Sequence, residues 1–300
     1  MSIGGADRLR RLFPLDPMEY RSMKLLSTAA ANTKTAKSEL NRPDYTLLSL
    51  ALSPANSAPG LPSNCPNASP GCISACVSHV GMSQVFKSIL EARIRKTVFF
   101  RENRAAFMTQ LAGEIEHERD RAYERGTILA IRVNCFTDIV YERIAVPGTV
   151  STAAPHGRSL MDLFPDCQFY DYTKLYGRLK DTSLPSNYSL TASWTERKKD
   201  QDSCAEILHN GLANVAMVFG ESAGKTGRHA YSQRIPRTWE VAGKAFQVYS
   251  GDEQDMRHLD WNPRTAKGAK YGRICGLRLK SSNSIERMKA LETGFAVTVD

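Results

Sequence analysis

Short apolar runs, separated by polar and turn-rich segments, recur along most of the chain. Seven read as strands: 45–52, 128–133, 168–172, 188–192, 215–219, 246–249 and 274–279. Their lengths suit strands, and Pro, Gly, Asn or Ser bound several of them. Runs that are continuously apolar, rather than strictly alternating, indicate burial on both faces. Parallel sheets bury their strands this way, because parallel neighbours need long crossover connections that cover the faces. Two longer stretches, 85–100 and 103–124, carry helical spacing. In the second, Phe107, Leu111 and Ile115 recur every four residues, and Gly126 can supply the left-handed stop. Asn283 and Glu286 predict a capped last helix ending at Gly294, followed by a terminal strand over 295–299. Together these elements predict an α/β fold with mainly parallel strands, a partial or complete (β/α) barrel. The expected organisation is one domain over 45–300, with residues 1–44 as an arm packing on it.

Composition narrows the class. With 42% apolar residues among 300, a sizeable core is expected. The longest apolar runs fall far short of the roughly 20 residues that cross a bilayer. The first sixteen positions carry Asp7, Arg8, Arg10, Arg11, Pro14 and Asp16, unlike a secretory leader. A cytoplasmic protein with no membrane partner is expected. The net charge of +9 and pI near 9.2 point to a polyanionic partner, nucleic acid or nucleotide. Arg93, Arg95, Lys96, Arg101 and Arg104 are the candidate contacts, the alternative being a solvated helix face.

The chemistry concentrates in one loop. Residues 55–76 are dense in Pro, Gly, Asn and Ser and hold Cys65, Cys72 and Cys76 in a C-x6-C-x3-C spacing. Cys135, Cys167, Cys204 and Cys275 lie dispersed in apolar surroundings and read as core residues. Seven cysteines so distributed do not suggest a disulfide framework. A flexible loop can bring three thiolates to one point, and three thiolates suit a 4Fe-4S cluster whose fourth iron stays open to substrate or cofactor. The loop follows the first confident strand, the position that the cluster loop occupies in radical S-adenosylmethionine enzymes. The spacing departs from the C-x3-C-x2-C of those enzymes, and Ala75 stands where they carry an aromatic residue. The rival is zinc: His79, three positions after Cys76, completes a Cys3His set for a closed tetrahedral site. A loop without metal is the third reading.

Polar residues follow several of the predicted strands, where barrel enzymes build their sites. Asp171, Tyr172, Lys174 and Glu196 are the candidate catalytic residues. Asn134, Ser193, Trp194, Asp252 and Asp255 are the candidate cofactor-binding residues, and Cys65, Cys72 and Cys76 the metal ligands. All but Asn134 and Trp194 are expected to share a pocket with the cysteine loop. For any single aspartate, a turn or helix cap is the commoner explanation. Gly220 to Thr226 resembles a phosphate-binding loop but is one residue short of G-x4-G-K-T, with Phe219 in the place of the first glycine.

From about Leu25 onward the chain resembles the phage gene product 88 family. The strings that carry the resemblance stand here as LLSTAAANTKTAKSE, YTLLSLALSPANSA, CPNASPGCISAC, FYDYTK, SNYSLTASWTE and SGDEQDMRHLD. The resemblance implies a phage protein at work in the host cell and no particular reaction. Added to the loop, it gives a leading expectation of a radical S-adenosylmethionine-type iron-sulfur enzyme acting on nucleic acid or nucleotide. The alternative is a non-enzymatic, nucleic-acid-binding accessory protein with a zinc-bound or metal-free cysteine loop. Replacing His79 separates the two metals. If zinc is structural, His79→Ala is expected to lose metal and stability together, as chelator-sensitive unfolding would reveal. If the ligands are the three cysteines, metal content of the variant stays at the wild-type level.

Overall fold

The structure, a computed structural model, describes residues 20, 22–55, 57–58, 60–79, 82–152, 154–221, 234–280 and 284–299. All seven expected strands form, each within two residues of its expected limits. They are β2 (Tyr45–Leu50), β3 (Ile128–Arg132), β4 (Gln168–Thr173), β5 (Tyr188–Ser193), β6 (Val215–Gly220), β8 (Lys244–Ser250) and β9 (Ile274–Arg278). The terminal strand is β10 (Ala296–Thr298), and two strands are additional: β1 (Leu26–Thr28) and β7 (Thr238–Val241). The longer helices are α1 (Thr33–Asn41), α2 (Pro70–Ser74), α3 (Lys87–Glu102), α4 (Arg104–Glu124), α5 (Lys198–His209) and α6 (Ser284–Glu292). Asn103 caps α4 by accepting from the Ala106 amide at 3.1 Å. Gly126 ends it at φ +67°, where a side chain would be strained.

The chain folds as two compact units. The first comprises 1–66, 82–170 and 185–188. In it β1 runs antiparallel to β2, which is parallel to β3, and β3 is parallel to the start of β4. The four-residue spacing in α4 buries Phe107, Leu111 and Ile115 completely. Phe107 meets Phe99 and Phe100 of α3 edge-on, with centroids 5.3 and 5.2 Å apart, the arrangement that aromatic quadrupoles favour.

The second unit comprises 67–81, 171–184 and 189–300. Its strands β5, β6, β9 and β8 are successive parallel neighbours, with β7 antiparallel on the far side of β8. Strand β6 pairs with β5 through Val215 and Ala216, and with β10 through Val218 to Gly220. Ala242 and Gly243, both with positive φ, make the two-residue turn between β7 and β8. Mainly parallel strands in a mixed α/β chain are thus as expected. The order departs from simple succession, since β9 lies between β6 and β8.

Glu114 of α4 explains how β1 is held. Its carboxylate accepts from the Leu25 amide at 2.8 Å and the Leu26 amide at 2.8 Å, while the Lys96 ammonium donates to the Leu25 carbonyl at 2.7 Å. Both leucines are fully buried, so losing these acceptors would strand amides out of water. Glu114→Ala is expected to cost about 1–3 kcal/mol of unfolding free energy, measured by chemical denaturation.

Candidate functional site

The second half of the cysteine loop is shaped by local sequence. Ser69 precedes Pro70, and its hydroxyl accepts from the Cys72 amide at 3.1 Å, a standard cap with proline in the first turn. The resulting α2 carries Cys72. Cys76 lies two residues past its end, where the thiol shares a hydrogen bond of 3.2 Å with the Ser78 hydroxyl. Both thiols are partly exposed and free.

Residues just beyond β4 and β5 fix this turn. The Glu196 carboxylate accepts from the Ser69 hydroxyl at 2.7 Å and from the Gly71 amide at 2.8 Å. Arg197 donates to the Asn67 carbonyl at 2.7 Å and is itself held by Asp200, 2.6 Å away. Thr195 donates to the same Asp200 carboxylate at 2.6 Å. The Asn67 amide donates to the Lys174 carbonyl at 2.6 Å. Charge-assisted bonds of this kind are the stronger class. Gly71 is required here because a Cβ would stand 2.5 Å from Cβ of Phe295 and 2.8 Å from Oε2 of Glu196.

Electrostatics join three of these groups. Burial pushes the Cys76 thiol above its ordinary value, and a charged Cys72 would push it further. The hydrogen bond from Ser78 and the Lys174 ammonium act in the other direction. Thiols are soft ligands of the kind that suit a soft metal. Among the described residues, however, no three His, Cys, Asp or Glu side chains form a group able to hold a metal ion. The imidazole of His79 lies outside the described residues, as does nearly all of the glycine-lysine string, at 222–226. Cys65 belongs to the first unit, where its thiol accepts from the Ala55 amide and donates to the Phe136 carbonyl, both at 3.3 Å.

The other sequence candidates divide. Tyr172 faces a second polar cluster that the strand-end reading missed, centred on Arg257. This fully buried guanidinium pairs with Asp260 at 3.0 Å and donates to the Cys275 sulfur at 2.9 Å. Tyr249 donates to Asp260 at 2.8 Å, and burial keeps its phenol protonated by raising it well above the tyrosine range. Burial opposes the charge on Arg257, and the Asp260 carboxylate paired with it favours the cationic form. The register places Cys275 beside Tyr249 and Ala216, and Ala216 beside Ser193, so these residues face one side of the sheet. The only sequence signal was the string SGDEQDMRHLD, which contains both Arg257 and Asp260.

Asp171 and Asp255 are buried. Asp252 accepts from the Arg278 amide at 2.9 Å and pairs with Lys280 at 3.2 Å, fastening the turn after β8 to the end of β9. Ser193 offers its carbonyl to the Tyr176 hydroxyl at 2.8 Å. Trp194 continues the ladder to Ala216 at 2.9 Å. Asn134 lies in the first unit, where its side chain braces its own turn: Oδ1 accepts from Thr137 and from the Ile139 amide, both at 2.8 Å, and Nδ2 donates to the Ile139 carbonyl at 2.9 Å. Of the dispersed cysteines, Cys167, Cys204 and Cys275 are core residues and Cys135 is half-buried. Burial pushes the first two up to about 12.

Four of the five basic residues singled out on α3 and the start of α4 make packing or carbonyl contacts, while Arg104 is also exposed. Lys96 holds the Leu25 carbonyl, and Arg101 donates to the Ser63 carbonyl at 3.0 Å. Arg93 lies over the Phe136 ring at 4.2 Å and Arg104 over Phe100 at 5.0 Å.

The family described as Gene product 88 matches residues 23–287 of the chain. No curated protein and no solved structure matches it. Gly71→Ala is expected to lower stability by about 1–3 kcal/mol through overpacking, measured by thermal unfolding. The same variant should accelerate alkylation of Cys72 and Cys76 by iodoacetamide.

Proposed function

We propose that this chain, which belongs to the Gene product 88 family, is a phage enzyme that uses the cysteine loop as an iron-sulfur site of the radical S-adenosylmethionine type. Cys65, Cys72 and Cys76 are the ligands that the spacing singles out. The supporting observation is the anchoring of the turn. A segment of Ser, Pro, Gly and Asn carrying two thiols would be costly to order, yet Glu196, Arg197 and Asn67 fix it through five hydrogen bonds of 2.6–3.0 Å. Metal sites characteristically surround their ligands with such an outer shell, which orients them in advance. A cluster with S-adenosylmethionine bound would supply the redox chemistry. This chain's own share is to hold the turn that carries Cys72 and Cys76 in place.

A nucleic acid or nucleotide substrate belongs to this proposal through the net charge of +9. The basic residues singled out on α3 and α4 do not add to that support, since four of the five are engaged in packing and carbonyl contacts. The non-enzymatic nucleic-acid-binding alternative rests on that same charge alone. Barrel-like closure of the strands belongs to the proposal as well. Of the described helices, none is long and apolar enough to cross a membrane.

Anaerobic purification with analysis of iron, acid-labile sulfide and zinc tests the proposal. About four irons and four sulfides per chain are expected for a cluster of this type, falling sharply in Cys72→Ala and Cys76→Ala. Stoichiometric zinc without sulfide would overturn it.

A further inference from the structure

Both carboxylate oxygens of Glu196 are committed to the cysteine turn, and from this we infer that Glu196 is a positioning residue that presets the Cys72 and Cys76 thiols. The inference rests on the reading of that turn as a ligand site, and it gives Glu196, a candidate catalytic residue by its place after β5, a positioning role. Oε1 takes the Gly71 amide at 2.8 Å, and Oε2 takes the Ser69 hydroxyl at 2.7 Å. That hydroxyl in turn accepts from the Cys72 amide at 3.1 Å. A single side chain therefore reaches the backbone of Cys72 in two steps and the residue before it directly.

The turn also has an apolar neighbour. Ala75 packs against the buried cluster of Leu279, Ala290 and Ala296. Phe295 and Glu196 approach Gly71 closely enough to leave no room for a methyl group. The turn is thus gripped between a carboxylate and a hydrophobic wall. The wall resists displacement, but the hydrogen bonds set orientation, because dispersion contacts are not directional: the carboxylate takes the Gly71 amide, and the Ser69 hydroxyl that it holds takes the Cys72 amide. The hydrogen bonds of Glu196 and Ser69 thus order the backbone that carries Cys72, so that a metal arriving there would meet a preset turn.

Amide exchange of the ligand-free full-length chain, followed by mass spectrometry over residues 67–78, measures this directly. Cobalt(II) titration, read from the thiolate-to-cobalt charge-transfer band, measures its consequence. Glu196→Ala is expected to raise exchange across 69–76 at least tenfold, leave exchange elsewhere unchanged, and weaken cobalt binding about 10–100-fold. Glu196→Gln, whose amide oxygen still accepts from Gly71, should fall between wild type and Glu196→Ala. Ser69→Ala should loosen the same segment and provides the test if Glu196→Ala does not fold. Wild-type exchange over 69–76 in the folded Glu196 and Ser69 variants would overturn the inference. Failure of the wild-type chain to bind cobalt, with exchange still responding to Glu196, would instead refute the metal-site reading and leave the positioning role standing.

Discussion

The hold of Glu196 on the Ser69–Gly71 turn is the interaction on which the candidate site depends. A carboxylate can accept several hydrogen bonds but donate none, so it suits a turn whose first amides would otherwise lack partners. It also dictates sequence: Gly71 must lack a side chain, and Ser69 must present a hydroxyl that both donates and accepts. Arg197, one residue further along, secures Asn67 in the same way, using Asp200 to fix its own guanidinium. Three consecutive residues, Thr195, Glu196 and Arg197, thereby convert the end of a strand into a mount for the cysteine turn.

The strand pattern was largely legible in the sequence because buried parallel strands are continuous apolar runs, and each of the seven was found close to its expected limits. The parts that were not legible share a physical cause. Strand β1 is only three residues long, too short to display a period, and depends on Glu114 and Lys96 from helices some 70 to 90 residues away. Strand β7 is four residues long, pairs with β8 in a hairpin, and buries just Val241. Helix α5 is polar over most of its length and buries Asp200 together with Cys204, Ile207 and Leu208, so its apolar stripe is nearly invisible.

The site residues were legible to a lesser degree. Position after a strand identified Lys174 and Glu196, both of which meet the cysteine turn. The same rule selected Asn134 and Asp252, whose side chains brace a local turn and a strand end. It missed Arg257, Asp260 and Tyr249 because their association depends on register across β8 and β9 and on a short helical turn, Arg257–Leu259, between them. The basic composition was equally ambiguous: Lys96 and Arg101 are cations whose main work is to satisfy backbone carbonyls, which total charge cannot reveal.

X-ray absorption at the metal edge of the anaerobically loaded full-length chain tests the central claim most directly. The account predicts a first shell dominated by sulfur with a neighbouring iron scatterer, and replacement of Cys72 or Cys76 should diminish that shell. A first shell of oxygen and nitrogen alone, unchanged by either replacement, would contradict it.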